Sequence, residues 1–232
     1  MIRVRRNENR GQANHGWLRS KHTFSFADYH DPAWMGFRSL RVINEDKVAP
    51  SKGFATHQHE NMEILSYVIR GQLAHKDSMG NASIIEPGEV QLMSAGTGVS
   101  HSEYNPSDQD WTHFLQIWLL PSEKETTPSY QQTLFPLEVK NNKLCLIASP
   151  TGVDGSLTIK QDACIYLSVL EKTKRVSLEI KPNRHAFVQV ISGSLHVNFC
   201  VLEAGDGALI WEEDKIDIFS AETAEFLLFD LA

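Results

Sequence analysis

G-F-A-T-H-Q-H-E-N-M-E, from Gly53 to Glu63, runs straight into the apolar stretch Ile64 to Ile69 and the turn Arg70-Gly71. Side chains two apart on an extended strand share a face, so His57 and His59 point the same way if this segment is a strand. The rest of the chain repeats the design of a short apolar run closed by turn residues. In the first half, His22 to Tyr29, Leu40 to Asn44, Gln72 to His75, Val90 to Met93 and His113 to Leu120 read as strands or extended arms. In the second, nine further runs extend from Lys143 to Phe229. Runs of this length with Gly, Pro and Asn between them describe an antiparallel sandwich or barrel. The only helix expected is a short one within Gln131 to Val139.

The polar, proline-bounded segment after Leu120, from Pro121-Ser122-Glu123 to Asn141-Asn142, reads as a linker. The expected domains are residues 1–122, a linker at 123–142, and residues 143–232. The two halves echo each other. Val68-Ile69-Arg70-Gly71-Gln72-Leu73 returns 122 residues later as Val190-Ile191-Ser192-Gly193-Ser194-Leu195. Pro87-Gly88-Glu89 returns 117 residues later as Ala204-Gly205-Asp206. Two matches in the same order point to two copies of one barrel. Shifted by these offsets, His57 and His59 fall on Glu179 and Lys181, and His101 and Glu103 on Ile218 and Ser220, so one metal site is expected, in the first copy.

Composition narrows the function. The chain has 232 residues, 41% hydrophobic, with a net charge of -7, which lacks the basic footprint of a nucleic-acid binder. Arg3, Arg5, Arg6 and Arg10 read as a solvated edge strand. No run has the ~18 apolar residues of a membrane span, and the N-terminal stretch carries no apolar signal core. Cys145, Cys164 and Cys200 show no paired spacing and read as buried free thiols. The expectation is a cytoplasmic, monomeric protein that binds neither nucleic acid nor membrane.

Two histidines on one face are half of a metal site. The other half is offered by Gly96-Thr97-Gly98-Val99-Ser100-His101-Ser102-Glu103, where His101 and Glu103 again share a face. Imidazole suits Zn, Cu, Fe and Ni, and a carboxylate admits harder ions such as Mn. His57, His59, His101 and one carboxylate leave a coordination position open, as a catalytic site requires. A His-x-His pair alone is common on solvated strands. The weight lies in the combination of that pair with a carboxylate, Glu63, four residues after His59, a glycine at hairpin spacing, a Pro-Gly turn, and Gly-x-x-His. The other seven histidines, His15, His22, His30, His75, His113, His185 and His196, have no such pairing and read as structural or as neighbours of the ligands.

This combination resembles the two cupin motifs, the first as Gly53…His57-Gln58-His59…Glu63…Gly71 and the second as Pro87-Gly88…Gly98-Val99-Ser100-His101…Asn105. Within the cupins the chain resembles the pirin family, in its bacterial quercetinase-like branch. The marks are His22 to Tyr29 with Asp31-Pro32, Leu40 to Asn44, His75-Lys76-Asp77-Ser78-Met79-Gly80-Asn81, and Met93-Ser94-Ala95-Gly96-Thr97-Gly98 followed by His101-Ser102-Glu103. The resemblance implies an all-β bicupin, two antiparallel β-barrel domains of the double-stranded β-helix or jelly-roll type, the second degenerate. The general cupin pattern makes Glu63 the carboxylate ligand. The pirin form implies Glu103 instead, giving His57, His59, His101 and Glu103 around one divalent ion, most often Fe(II), with Zn, Mn, Ni, Co or Cu also compatible.

The resemblance further implies a quercetin 2,3-dioxygenase, an oxidoreductase that opens a flavonol with O2 and releases CO, with Glu103 also accepting a proton from the substrate. The alternatives are a metal- or redox-dependent regulatory protein, and a cupin isomerase or dioxygenase acting on another small molecule. Phe37, Met62, Met93, Phe114, Gln116 and Trp118 are the expected residues of the barrel mouth.

Overall fold

Strands predominate because the apolar residues recur with period two or in short buried runs, and β-branched and aromatic side chains fill them. A computed structural model describes all 232 residues. They form two units, one of Gly11–Phe135 with Ile159–Gln161, the other of Met1–Arg10, Pro136–Thr158 and Asp162–Ala232.

The first unit has a seven-stranded sheet in the order Ser129–Leu134, Glu89–Ser94, Glu63–Arg70, Thr112–Leu119, Leu40–Val48, Leu18–His22, Gly11–Asn14. Its second sheet has four strands, Gly53–His59, Val99–Tyr104, Leu73–Asp77 and Ala82–Ile85. The second unit repeats this plan. Its seven-stranded sheet runs Ile2–Arg5, Gly207–Ile210, His185–Ser192, Ala224–Leu231, Ala163–Leu170, Cys145–Ser149, Leu157–Thr158. Its four-stranded sheet runs Arg175–Glu179, Lys215–Ser220, Ser194–Val197, Cys200–Glu203. Neighbouring strands are antiparallel except Cys145–Ser149 and Leu157–Thr158. The bicupin architecture expected from sequence is what the chain adopts.

Several limits differ from those expected. Ser129–Leu134, inside the expected linker, is an edge strand of the first unit, paired with Glu89–Ser94, and the helix is confined to Leu137–Lys140. His22 to Tyr29 is not one strand: the strand ends at His22, and Phe26 and Tyr29 close a turn. Ile2–Arg5 pairs with Gly207–Ile210, so the first ten residues belong with the second unit. That strand is an edge, but its arginines are not all solvated. Arg5 and Arg10 are buried, and Arg6 Nη1 donates to Asp206 Oδ2 at 2.7 Å. The cysteines are free and only half-buried. No helix is long and apolar enough to cross a membrane.

Candidate metal centre

Strand pairing builds the centre. Gly53–His59 and Val99–Tyr104 are antiparallel, with His101 opposite His57, Val99 opposite His59, and a bulge between His101 and Glu103. Such a bulge re-aims a side chain next to a site. Gly53 lies so close to the backbone of Glu103 and Tyr104 that a Cβ would collide with both. Gly96, at φ +48°, lies against the carbonyl of Thr126, which also accepts from the Thr97 N–H at 3.0 Å. The turn that delivers His101 is thus pinned by the segment after Pro121.

The three imidazoles converge. Ring centroids are 4.4 Å apart for His57 and His101, 4.8 Å for His57 and His59, and 4.9 Å for His59 and His101. One nitrogen from each lies within 4.8 Å of the others. His57 Nδ1–H donates to the Ala55 carbonyl at 2.8 Å, which leaves the Nε2 lone pair for a ligand. His59 Nε2 and both nitrogens of His101 are buried with no hydrogen-bond partner. Buried polar atoms are rarely left so, and a cation held between them removes the anomaly. Burial, reinforced by His57, lowers His59 to a pKa of about 4, and burial with the neighbouring imidazoles lowers His101 to about 3. Both are therefore neutral at pH 7, as metal ligation demands.

Glu103 joins His101 and His75 in a second group whose ligand atoms also lie within 4.8 Å. Its carboxylate accepts from Gln116 Nε2 at 2.7 Å and Ser66 Oγ at 3.3 Å. Burial still raises its pKa to about 7 against those two donors. Glu63, the other carboxylate weighed, is in neither group. It is buried in its strand and accepts from Ser94 Oγ at 2.8 Å and the Lys160 N–H at 3.1 Å. The fourth imidazole, His75, read from sequence as structural or as a neighbour of the other histidines, lies beside His101 with ring centroids 5.3 Å apart. Its Nε2 meets Asp77 Oδ2 at 3.2 Å, and its Nδ1 is buried without a partner. The His75…Asp77 alternation was the available signal.

Residues 3–119 match the family model for pirin, and residues 146–231 match the model for the quercetinase C-terminal cupin domain. The chain is 47% identical to a quercetin 2,3-dioxygenase of Escherichia coli K12, covering 100% of this chain and 99% of the relative. The chain belongs to the pirin family. A pirin-like protein of Caulobacter vibrioides is 39% identical over 96% of each chain. Among solved structures, the bacterial pirin YhhW from Escherichia coli in complex with nickel(II) superposes with a TM-score of 0.96 at 46% identity, covering 100% of this chain and 99% of that one.

Beside the imidazoles, this pirin has a cavity of about 530 Å³. Of the expected mouth residues, only Gln116 and Trp118 line it. Phe114 is in the core with Leu18 and Val68, and Met62 and Met93 pack with Ile64 and Val99. Phe37 is not on the cavity wall but pairs with Leu40 in a turn. The walls missed from sequence come from the N-terminal segment of this unit, chiefly Trp17, His22 and Phe26, together with Phe54. Their assignment depends on tertiary contact, so no local pattern marks it. The cluster and cavity suit a divalent transition metal with a flat apolar ligand beside it.

Proposed function

We propose that this pirin is a quercetin 2,3-dioxygenase, opening the central ring of a flavonol with O2 and releasing CO, with His57, His59, His101 and Glu103 holding one divalent ion. The observation that carries this reading is a buried carboxyl group with a pKa of about 7, Glu103, on the wall of an aromatic cavity shared with two of the converging imidazoles, His57 and His59. A base poised near neutrality is matched to taking a phenolic proton. The Escherichia coli relative, a quercetin 2,3-dioxygenase, points the same way.

When bound, the ion supplies a Lewis-acidic centre that favours the deprotonated flavonol 3-hydroxyl. Glu103 accepts that proton. Gln116 and Ser66 hold the carboxylate in place and keep it from turning away. Trp118, edge-on to His59 at 4.8 Å and to Phe26 at 5.4 Å, keeps the adjoining wall apolar and shields the site from water. Three imidazole nitrogens and one carboxylate accept Fe(II), which we assign as the working ion. Zn, Mn, Ni, Co and Cu fit the same donors. Nickel in the relative does not argue against iron, because nickel binds such donors more tightly wherever it is supplied.

The test is protein loaded with Fe(II), then with each other ion, incubated with quercetin and O2. Loss of flavonol absorbance with stoichiometric CO is expected, and it should vanish in His57→Ala and Glu103→Ala. Undiminished turnover in both variants would refute the site. No CO with any ion would refute the reaction.

A further inference from the structure

The seven-stranded sheet of the first unit carries a row of polar side chains directly opposite one another. His22 pairs with Asn44, Asn44 with Gln116, Gln116 with Ser66, and Ser66 with Gln91. All five are buried. The equivalent row in the second unit is Leu146, Tyr166, Leu228, Val188 and Ala208, paired in the same order. The fold therefore does not need polarity here. Ser66 and Gln116 are accounted for by Glu103. His22 and Asn44, at the other end of the row, are not.

They belong to a compact group. Ser20 sits opposite Asp46 on the same two strands, and its hydroxyl donates to the Asp46 carboxylate. His22 Nδ1–H donates to Asn44 Oδ1 at 2.8 Å and lies 3.3 Å from Ser20 Oγ. That arrangement leaves the Asn44 amide nitrogen as a donor. All four side chains line the cavity that also touches His57, His59 and Glu103. An unbroken series of ring contacts joins the two ends: His59 to Trp118, Trp118 to Phe26, Phe26 to His22. Neighbouring strands are about 4.8 Å apart, so His22 stands two strands, or about 10 Å, from Gln116. That separation matches the long axis of a flat polycyclic aromatic anchored at the imidazole end.

We propose that Ser20, His22, Asn44 and Asp46 form a second polar subsite that binds a hydroxyl group on the distal ring of the aromatic ligand, an inference that rests on the flavonol reading of the same cavity. The Asn44 amide donates to the phenolic oxygen, and the Asp46 carboxylate accepts the phenolic proton's hydrogen bond. The site thereby selects hydroxylated over unsubstituted aromatics. A buried Asn44 amide donor left facing a bare ring edge penalises the wrong ligand more than a pocket fit does.

Trp17 and Trp118 line the cavity and report binding by fluorescence quenching, so the test needs no turnover. Metal-free protein is titrated with quercetin and with 3-hydroxyflavone, which lacks every hydroxyl except the one at position 3. Quercetin should bind about tenfold more tightly. Asn44→Leu and Asp46→Asn should each cut that ratio to below about threefold. Equal affinities in the unaltered protein overturn the proposal, as does a full tenfold preference retained by both variants. If either variant fails to fold, Ser20→Ala, a smaller cut in the same group, takes its place under the same criterion. Ring cleavage is not read here. Failure of the dioxygenase assay leaves this result standing, and loss of the preference leaves the dioxygenase reading standing.

Discussion

The two barrels of this chain answer the same structural problem with opposite chemistry. Where the first places His57 opposite His101, the second places Val176 opposite Ile218. Where the first has His59 opposite Val99, the second has Leu178 opposite Ile216. Glu103 is answered by Ser220, whose hydroxyl donates to the Ser194 carbonyl at 2.9 Å. In the second barrel, Ile216 and Ile218 are part of a continuous core with Val188, Leu228 and Phe226. The strand plan is indifferent to which set it holds. The frame accepts either set, and the cost of burying imidazoles and a carboxyl falls on the first barrel alone.

The largest effect should come from dividing the two sets. His101→Ala is expected to abolish bound metal, read by elemental analysis. Ile218→Ala should leave metal content at one ion per chain while destabilising its barrel by about 2–4 kcal/mol through the cavity it opens. Loss of metal from Ile218→Ala would break the comparison.

The reverse exchange sharpens it. Replacing His57, His59, His101 and Glu103 by Val, Leu, Ile and Ser copies the second barrel into the first. It should eliminate metal binding and stabilise the metal-free protein by roughly 2–4 kcal/mol, since orphaned buried nitrogens are removed. Thermal unfolding without metal measures this, and an unchanged or lower melting temperature would mean the first barrel is not paying for its ligands.

Acid should also separate the barrels. His59 and His101 have folded pKa values of about 4 and 3, below the ordinary 6.5. Their contribution is complete above pH 6.5 and is lost as pH falls through the window below it. Glu103 works the other way, since its folded pKa of about 7 exceeds 4.5. Its contribution is complete below pH 4.5 and is lost as pH rises through 7. Two imidazoles oppose one carboxyl between pH 4.5 and 6.5, so metal-free protein should lose about 1.4 kcal/mol per pH unit on acidification there. Hydrogen exchange resolved by residue should place that loss in the first barrel.

The smallest effect concerns the donors to Glu103. Gln116→Leu removes the 2.7 Å bond and Ser66→Ala the 3.3 Å bond. In metal-free protein each should raise the Glu103 pKa above about 7, the first more than the second. A carboxyl titration of each metal-free variant, followed by infrared absorbance, decides, and an unshifted Glu103 in Gln116→Leu would mean that the bond does not hold the carboxylate.

Much of this is legible in the amino-acid sequence itself. Period-two patterns and turn residues mark most strands, and the echo of Val68–Leu73 in Val190–Leu195 places Glu63–Arg70 over His185–Ser192. The same offset failed for His57 and His59, which it sends to Glu179 and Lys181. Pairing puts Val176 and Leu178 there, because loops between the strands differ in length and a register slip of one reverses a side chain's face. The convergence of His57, His59 and His101 followed from two i, i+2 pairs. The separation of Glu63 from that cluster did not follow from spacing and came only with the resemblance to pirins, since it depends on Ser94 and the Lys160 amide, far away in sequence. The cavity wall was least legible, because Trp17, His22 and Phe26 reach it through pairing and loop paths that carry no local signature.

The pairing of Ile2–Arg5 with Gly207–Ile210 sets an order of events during synthesis. Ile2 meets Ile210, a contact across nearly the whole chain. The first strand to leave the ribosome must wait, unpaired, until about two hundred residues have followed it. The barrel with the imidazole cluster, which needs only Gly11–Phe135 and Ile159–Gln161, is complete well before then. The half with the imidazole cluster is thus free to fold first, and the other half is closed last by Ile2–Arg5.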